Sequence, residues 1–486
     1  MTGHGSALRG KTGARMRSTA EQSFHLSFPK LAHERYHREM NGTESPGDRP
    51  TLSEETRPLS PSRDDSRTSQ GAGPDDFALS VSIVISASEF DSLETVWDQL
   101  IGNSDCSVFQ TYEWQKTWWS HFGGDKDLHI LVFSQAGRVV GIAPAFIETS
   151  RVFGIIPMRT FRFIDAGYGG IISNREDEET VAQALAEYLS SQHSEWDLLK
   201  IIQIEDRSRW LSSLRNRLDS LHVKIETRRE QSCPQLALPT SWDGFLYLLG
   251  GNKKSQLKRK RQRLNDIFGM EFELLLDPGQ GIAQAVDDFV SINTGRWHSL
   301  GYTTRYKEEE ETDFLKDIAA KFANKGWLRI MFLKVGGNRI ATNFSFAFNG
   351  RLYFYEGNAN GTEEMMKLSP GFILHCAAIK QAIDEGLHTY DMLYGEEDYK
   401  MKEFKGVPVP TWSVRAVSPS TFSSLKSGAA RIDETLGRTL SRFLLEYHEV
   451  RRFVITKRPS FPVLLRFMST RVKAILRIAG QNITHS

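Results

Sequence analysis

From Phe77 onward the apolar positions of this 486-residue chain recur with two different periods. LSVSIVI (79–85) alternates, which predicts a half-buried strand. Residues 90–101 and FQTYEWQKTWWSHFGG (109–124) repeat with a helical period, and Trp114, Trp118 and Trp119 fall on one stripe. Such a stripe points to core packing rather than to a ligand platform. LHILVFS (128–134) and RVVGIAPAFIE (138–148) predict two strands joined by a turn at Gly137. Strand signals at 159–164 and 170–173, a helix over 177–192 and a buried strand in WDLLKIIQI (196–204) follow.

The same order returns 200 residues later. In LHILVFSQAGRVVGIAPAF and LRIMFLKVGGNRIATNFSF, the residues Leu128, Ile130, Gly137 and Phe146 align with Leu328, Ile330, Gly337 and Phe346. Each copy continues with a strand, a helix, and an acidic residue ahead of two apolar ones: Asp197-Leu-Leu in the first, Asp391-Met-Leu in the second. FVSINTGRWHSLGY (289–302) is the counterpart of the aromatic helix. The pattern predicts an internal duplication of strand–strand–strand–helix–strand. Strands alternating with helices indicate an α/β fold, with mixed sheets of α+β character.

Residues 1–76 are rich in Ser, Thr, Gly, Pro and alternating charge. They cannot bury enough apolar surface to offset chain entropy and are expected to be disordered. They read either as a regulatory tail or as a stretch upstream of a start at Met16 or Met40. The expected organisation is a tail over 1–76, a first half over 77–235, a second half over 236–420 and a basic helical tail over 421–486.

With a net charge of +1, the chain as a whole makes no electrostatic case for nucleic acid. Its charge distribution is more informative. NKKSQLKRKRQRL (252–264) concentrates Lys253, Lys254, Lys258, Arg259, Lys260, Arg261 and Arg263 on a predicted helix. It is either a solvated face or a contact for phosphate of a nucleotide-linked or lipid-linked substrate, or for RNA, with Lys258 and Arg261 as candidate substrate contacts. Residues 421–486 carry twelve basic side chains against four acidic. There, VLLRFMSTRVKAILRIAG (463–480) sets Leu464, Met468, Val472, Ile475 and Ala479 on one face and Arg466, Lys473 and Arg477 on the other. Such a helix either docks on its own core or makes peripheral contact with an anionic membrane. The three widely spaced cysteines fit neither a zinc site nor a disulfide framework, which points to a cytoplasmic compartment, with the inner membrane surface as the peripheral site. No run approaches the roughly 18 apolar residues of a spanning helix, and the N-terminus lacks a secretory signal.

The second half holds the candidate chemistry. GNRIATNFSFAFNGRLYFYEGNANG (337–361) predicts a hairpin with strands 339–348 and 351–357 turning at Asn349-Gly350. KLSPGFILHCAAIKQAIDEG (367–386) predicts a helix with Ser369 as N-cap, Pro370 at the first position and Gly386 at the end. A helix start offers free N–H groups and a positive dipole end to an anion. Ser369, Gly371 and Phe372 are therefore the candidate cofactor contacts. A strand through Met392 and Leu393 to Gly395, then a short helix or turn in EEDYKMKEF, brings Tyr399 to the same cleft. No Ser/His/Asp set, metal-ligand spacing or Walker-type loop is evident, so no metal is expected; His298 and His375 read as structural.

In this order, Ser369-Pro370-Gly371 and Tyr390-Asp391-Met392-Leu393-Tyr394-Gly395-Glu396-Glu397-Asp398-Tyr399-Lys400 resemble the GNAT superfamily, in its CelD-like acetyltransferase branch related to FemAB peptidyltransferases. FQTYEWQKTWWSHFG and VVGIAPAF extend the resemblance over residues 80–417. It implies tandem GNAT-like domains and transfer of an acyl group from acyl-CoA to an amine, on an amino sugar or a lipid-linked envelope or exopolysaccharide precursor. The family's usual Q/R-x-x-G-x-G/A loop is replaced here by MMKLSPGF. The donor therefore stays open between acyl-CoA and the aminoacyl-tRNA of FemAB relatives, for which 252–264 would contact tRNA. A non-catalytic scaffold at the membrane is the third reading.

Attack of an amine on a thioester or ester needs a base for its proton and an acid for the leaving group. Glu356, at a strand end beside Tyr353 and Tyr355, is the candidate base, with a pKa expected to rise by burial. Tyr399 is the candidate acid, matching the family's Tyr-Lys pair. Lys400 would hold a phosphate or a substrate carboxylate, and Asp391 either contacts substrate or pins the strand end. The equivalent helix start in the first half, NREDEET (174–180), is acidic and would repel phosphate.

Overall fold

The structure, a computed structural model, describes residues 79–164, 167–300, 303–420 and 422–433. The expected tail 1–76 and the amphipathic run 463–480 lie outside them. The first half contributes β1 (Leu79–Val84), β2 (Asp127–Leu128), β3 (Ile130–Gln135), β4 (Arg138–Ala143), β5 (Ala145–Val152), β6 (Ile156–Phe163), β7 (Ile172–Ser173), β8 (Leu198–Glu205) and β9 (Ile225–Arg229). After β10 (Cys233–Ala237), the second contributes β11 (Met270–Leu275), β12 (Leu328–Val335), β13 (Asn338–Phe348), β14 (Arg351–Ala359), β15 (Thr389–Asp391), β16 (Val407–Val409) and β17 (Thr411–Val417). The helices used below are α1 (Tyr112–Phe122), α2 (Glu178–Ser191), α3 (Trp242–Leu249), α4 (Gly251–Phe268), α5 (Ile282–Ser299), α6 (Glu309–Asn324) and α7 (Pro370–Asp384).

The duplication is visible in the hydrogen-bond register. Leu128 pairs with Phe146 and Leu328 with Phe346. Gln135 pairs with Arg138 and Val335 with Asn338, and each ladder shifts register at the same place, after Phe133 and after Leu333. The turns explain the match. Ala136 and Gly137 (φ 49° and 77°) and Gly336 and Gly337 (φ 56° and 82°) all take positive φ, the two-residue hairpin geometry that follows strand twist. In each half a helix then returns the chain to a parallel strand, β6 to β8 past α2 and β14 to β15 past α7.

Three sequence expectations change. The strand expected over 138–148 breaks at Pro144, which stands where the second copy has Phe344. Proline has no N–H for a ladder, and here β4 and β5 go to different sheets, β1-β3-β4-β7 and β2-β5-β6-β8-β17-β9. The unbroken β13 instead runs through one seven-stranded sheet, β11-β12-β13-β14-β15-β10-β16. The match of Asp197 to Asp391 is off by three residues. Arg162 and Tyr353 are equivalent, opposite Phe146 and Phe346, and their parallel partners are Lys200 and Asp391. The strand expected to continue through Leu393 stops at Asp391, because Leu393 takes positive φ (51°) and turns its N–H back to Asp391 Oδ1 (2.9 Å).

The halves also exchange strands. β10 lies between β15 and β16 in the second sheet, and β17 lies between β8 and β9 in the first half's sheet. The expected boundary at 235/236 therefore cuts a strand. The aromatic stripe of α1 is core, as its spacing suggests, but the core it fills joins the halves. Trp114 packs on Phe314 of α6 and on Phe346 and Tyr355 of the second sheet. Phe109, just ahead of α1, meets Tyr353.

Exchange on both sides predicts one cooperative unit. Val414 is fully buried in β17. Val414→Asp should cost about 3–5 kcal/mol by burying an unpaired charge. Denaturant unfolding should remain a single transition by tryptophan fluorescence and circular dichroism. Two separate transitions, with only one shifted, would contradict the exchange.

Candidate functional site

The cleft begins where β14 and β15 part. They pair only from Arg351–Tyr353 to Thr389–Asp391, while β14 runs on to Ala359. Its edge beyond Tyr353 has no strand beside it on that side among the described residues. A bulge at Tyr355, between the Ser345–Phe354 and Phe344–Glu356 pairs, adds local twist there. The first turns of α7 lie against this segment, with the His375 ring 4.5 Å from that of Phe354.

The start of α7 is open, for a reason the sequence did not show. Ser369 does not cap the helix: it sits at positive φ (54°) and makes no side-chain cap bond. Its hydroxyl instead accepts a hydrogen bond from Lys260 Nζ at 2.7 Å. A Cβ on Gly371 would meet nothing within 4 Å. Lys253, one helical turn pair earlier on α4, holds its ammonium 5.8 Å from the Phe372 ring and pairs with Glu403 at 3.1 Å. Free N–H groups, the helix dipole and the Lys260 ammonium therefore converge beside Ser369, Gly371 and Phe372, a donor set suited to phosphate.

Helical geometry separates the cations of α4 by flank. Lys253 and Lys260 share the flank that meets α7. Lys258 and Arg261 lie on the other one, exposed, with Arg261 5.5 Å over the Phe272 ring. Of the basic helix, the structure thus brings Lys253 and Lys260 to the cleft, not the expected Lys258 and Arg261. The run of seven basic residues carried no signal for which flank would face inward.

Glu356 closes the far end of β14 within a polar cluster. Its Oε1 accepts from Asn293 Nδ2 (2.5 Å), and its Oε2 from Tyr306 Oη (2.5 Å) and Arg305 Nη2 (3.0 Å). The Arg305 guanidinium lies 4.9 and 5.2 Å from the Tyr306 and Tyr355 rings and donates to both hydroxyls at 2.8 Å. The apolar surroundings expected for Glu356 are not found, since three donors, one of them charged, meet its carboxylate. Asn293, Arg305 and Tyr306 come from α5 and the short turn Arg305–Lys307, and no motif in the sequence marks them.

Tyr399 packs on His375 (5.4 Å between rings) and on Phe404. Burial, then the Glu397, Tyr390 and Glu356 neighbours, push its pKa well above the ordinary tyrosine range, so the phenol keeps its proton. Burial, then Lys400, lowers His375 to about 3 and keeps it neutral; its Nδ1 lies 2.8 Å from Tyr390 Oη.

Asp391 and Lys400 do not line the cleft surface. Asp391 is 0% exposed; its Oδ2 accepts from Tyr168 Oη (2.8 Å) of the first half and Gln235 Nε2 (3.0 Å) of β10. Burial raises its pKa to about 6. Lys400, 4% exposed, pairs with Glu397 at 2.9 Å and donates to the Tyr394 carbonyl at 2.9 Å. Both expected substrate contacts are instead committed to holding the segment that presents Tyr399. Among the described residues, no cluster of three or more His, Cys, Asp and Glu could hold a metal ion, and no helix is long and apolar enough to cross a membrane.

Residues 251–401 match the model of the family described as an acetyltransferase (GNAT) domain. No curated protein matches the chain in sequence. Among solved structures, FemX is 12% identical, with 69% of this chain and 96% of that one covered, at a TM-score of 0.49. The C-terminal domain of a putative lysylphosphatidylglycerol synthetase from Agrobacterium fabrum is 12% identical over 71% and 96% of the chains, at 0.44. A tandem GNAT protein from the clavulanic acid biosynthesis pathway is 11% identical over 71% and 100%, at 0.37. Such distant likenesses extend neither activity nor substrate to this chain.

Two outcomes follow from this geometry. Open space at Gly371 means that Gly371→Val folds with an unchanged melting temperature yet obstructs whatever approaches the helix start; a collapse in stability would show that the site is packed shut. For Asp391, the folded pKa lies above the unfolded value, so between roughly pH 4 and 6 the folded chain holds a proton that the unfolded chain has released. Its contribution to stability therefore improves as pH falls through 6, by about 1 kcal/mol from pH 7 to 5. Asp391→Asn should remove that increment when melting curves at the two pH values are compared, and an identical pH response in both proteins would contradict it.

Proposed function

We propose that the chain is an N-acyltransferase that moves an acyl group from acyl-CoA to an amine acceptor in the cleft between β14 and α7. The observation that carries this reading is the uncapped start of α7, with Lys260 beside it, facing the unpaired edge of β14. The GNAT match over 251–401 covers both elements. The N–H groups of Gly371 and Phe372 and the Lys260 ammonium would hold the donor's phosphates. The free backbone groups of β14 beyond Tyr353 would line its extended arm.

The thioester supplies an activated carbonyl. As the acceptor nitrogen bonds to the carbonyl carbon and the carbon–sulfur bond breaks, Glu356 takes the proton released from nitrogen, directly or through one water. Arg305, Tyr306 and Asn293 fix the orientation of that carboxylate. Tyr399 gives a proton to the departing sulfur. The acceptor is assigned to amino sugars or lipid-linked envelope precursors in the manner of the CelD-like branch, at the cytoplasmic membrane surface, where the basic segment 421–486 would hold the chain. An aminoacyl-tRNA donor is the second reading, favoured by the exposed cations of α4.

Calorimetry with acetyl-CoA, longer acyl-CoA and charged tRNA separates the donors: saturable acyl-CoA binding that Lys260→Ala weakens is expected, and binding of charged tRNA alone would move the assignment to aminoacyl transfer. Glu356→Gln and Tyr399→Phe should each lower kcat by about 10²–10⁴-fold with little change in donor affinity. Unchanged turnover in either would remove that residue from the mechanism.

A further inference from the structure

We propose that the corner between α3 and α4 docks on an anionic lipid surface. Gly250, at positive φ (86°), turns the chain from α3 into α4. At this corner Tyr247 is 86% exposed and Leu248 43%. Lys405 donates to the Leu248 carbonyl at 2.7 Å, which brings in Val407, 65% exposed. Large apolar side chains thus stand in solvent at one place. Along α4 beyond the corner, Lys254, Lys258, Arg259 and Arg263 are exposed and have no ion-pair partner among the described residues. Residues 242–268 carry seven basic side chains against two acidic in a chain whose net charge is only +1. This segment and 421–486 are therefore two strongly basic stretches of the chain.

Cations alone would suit RNA equally well. Exposed Leu248 and Val407 give no advantage on RNA, whereas a bilayer interface uses both classes: Lys and Arg meet headgroup phosphates, and Tyr, Leu and Val enter the boundary with the acyl chains. The surface is separate from the expected contact of 421–486, and its test requires no turnover, so it stands or falls apart from the acyltransferase reading.

The test is flotation of the full chain with vesicles of equal parts phosphatidylcholine and phosphatidylglycerol, and with phosphatidylcholine alone. Binding to the anionic vesicles only is expected. Each surface cation contributes about fivefold near an anionic bilayer, so Lys254→Glu, Lys258→Glu, Arg259→Glu and Arg263→Glu together should reduce partitioning by at least about 100-fold. Tyr247→Ser with Leu248→Ser should also reduce it, with melting temperatures confirming that both variants fold. Absence of binding to anionic vesicles overturns the proposal. Binding retained in both variants does so too, and places the contact in 421–486. Loss on charge reversal alone, with tighter binding of an RNA oligonucleotide than of vesicles, replaces lipid by RNA.

Discussion

The buried carboxylate of Asp391 is where the two halves and the cleft are tied together. One oxygen receives Tyr168 from the first half and Gln235 from the exchanged strand β10, and the other receives the N–H of Leu393. The first two bonds fasten the first half and β10 to the end of β15. The third ends β15 by holding Leu393 in its left-handed turn. Because β15 stops there while β14 continues, the sheet opens into a cleft. A carboxyl with no exposed surface is costly unless its oxygens are matched by donors, so the fork in the sheet depends on partners from both halves.

From the fork, a chain of packed groups leads to the candidate chemistry. Lys400, paired with Glu397 and bonded to the Tyr394 carbonyl, fixes the turn after Leu393. That turn sets Tyr399 against His375, which lies on Phe354 of β14. Across the cleft, α4 reaches Ser369 through Lys260. The string DMLYGEEDYK in this chain is thus mostly scaffold: Asp391 and Lys400 position, and Tyr399 is presented.

Much of the fold was legible because duplication and turn chemistry are local. Gly137 and Gly337, 200 residues apart, mark hairpins that close in the same register. The split of the first sheet at Pro144 was also encoded in a single residue, though the apolar run around it concealed the break. Strand exchange was not legible, since the partners of β10 and β17 are set by tertiary packing. In the site, residue types within motifs pointed to Ser369, Gly371 and Tyr399, all of which the fold brings near the cleft. Lys260 was hidden among six similar neighbours, and Arg305, Tyr306 and Asn293 converge on Glu356 only through folding.

The central claim is that the open start of α7 and the free edge of β14 form one donor site. Hydrogen–deuterium exchange of the full chain, with and without coenzyme A, tests it most directly. Slower exchange confined to peptides covering 355–359 and 369–373 is the predicted result, because the N–H groups on the free edge of β14 and those of Gly371 and Phe372 at the helix start are the ones a bound donor would engage. Unchanged exchange in both peptides at saturating coenzyme A, with protection appearing elsewhere, would contradict the account.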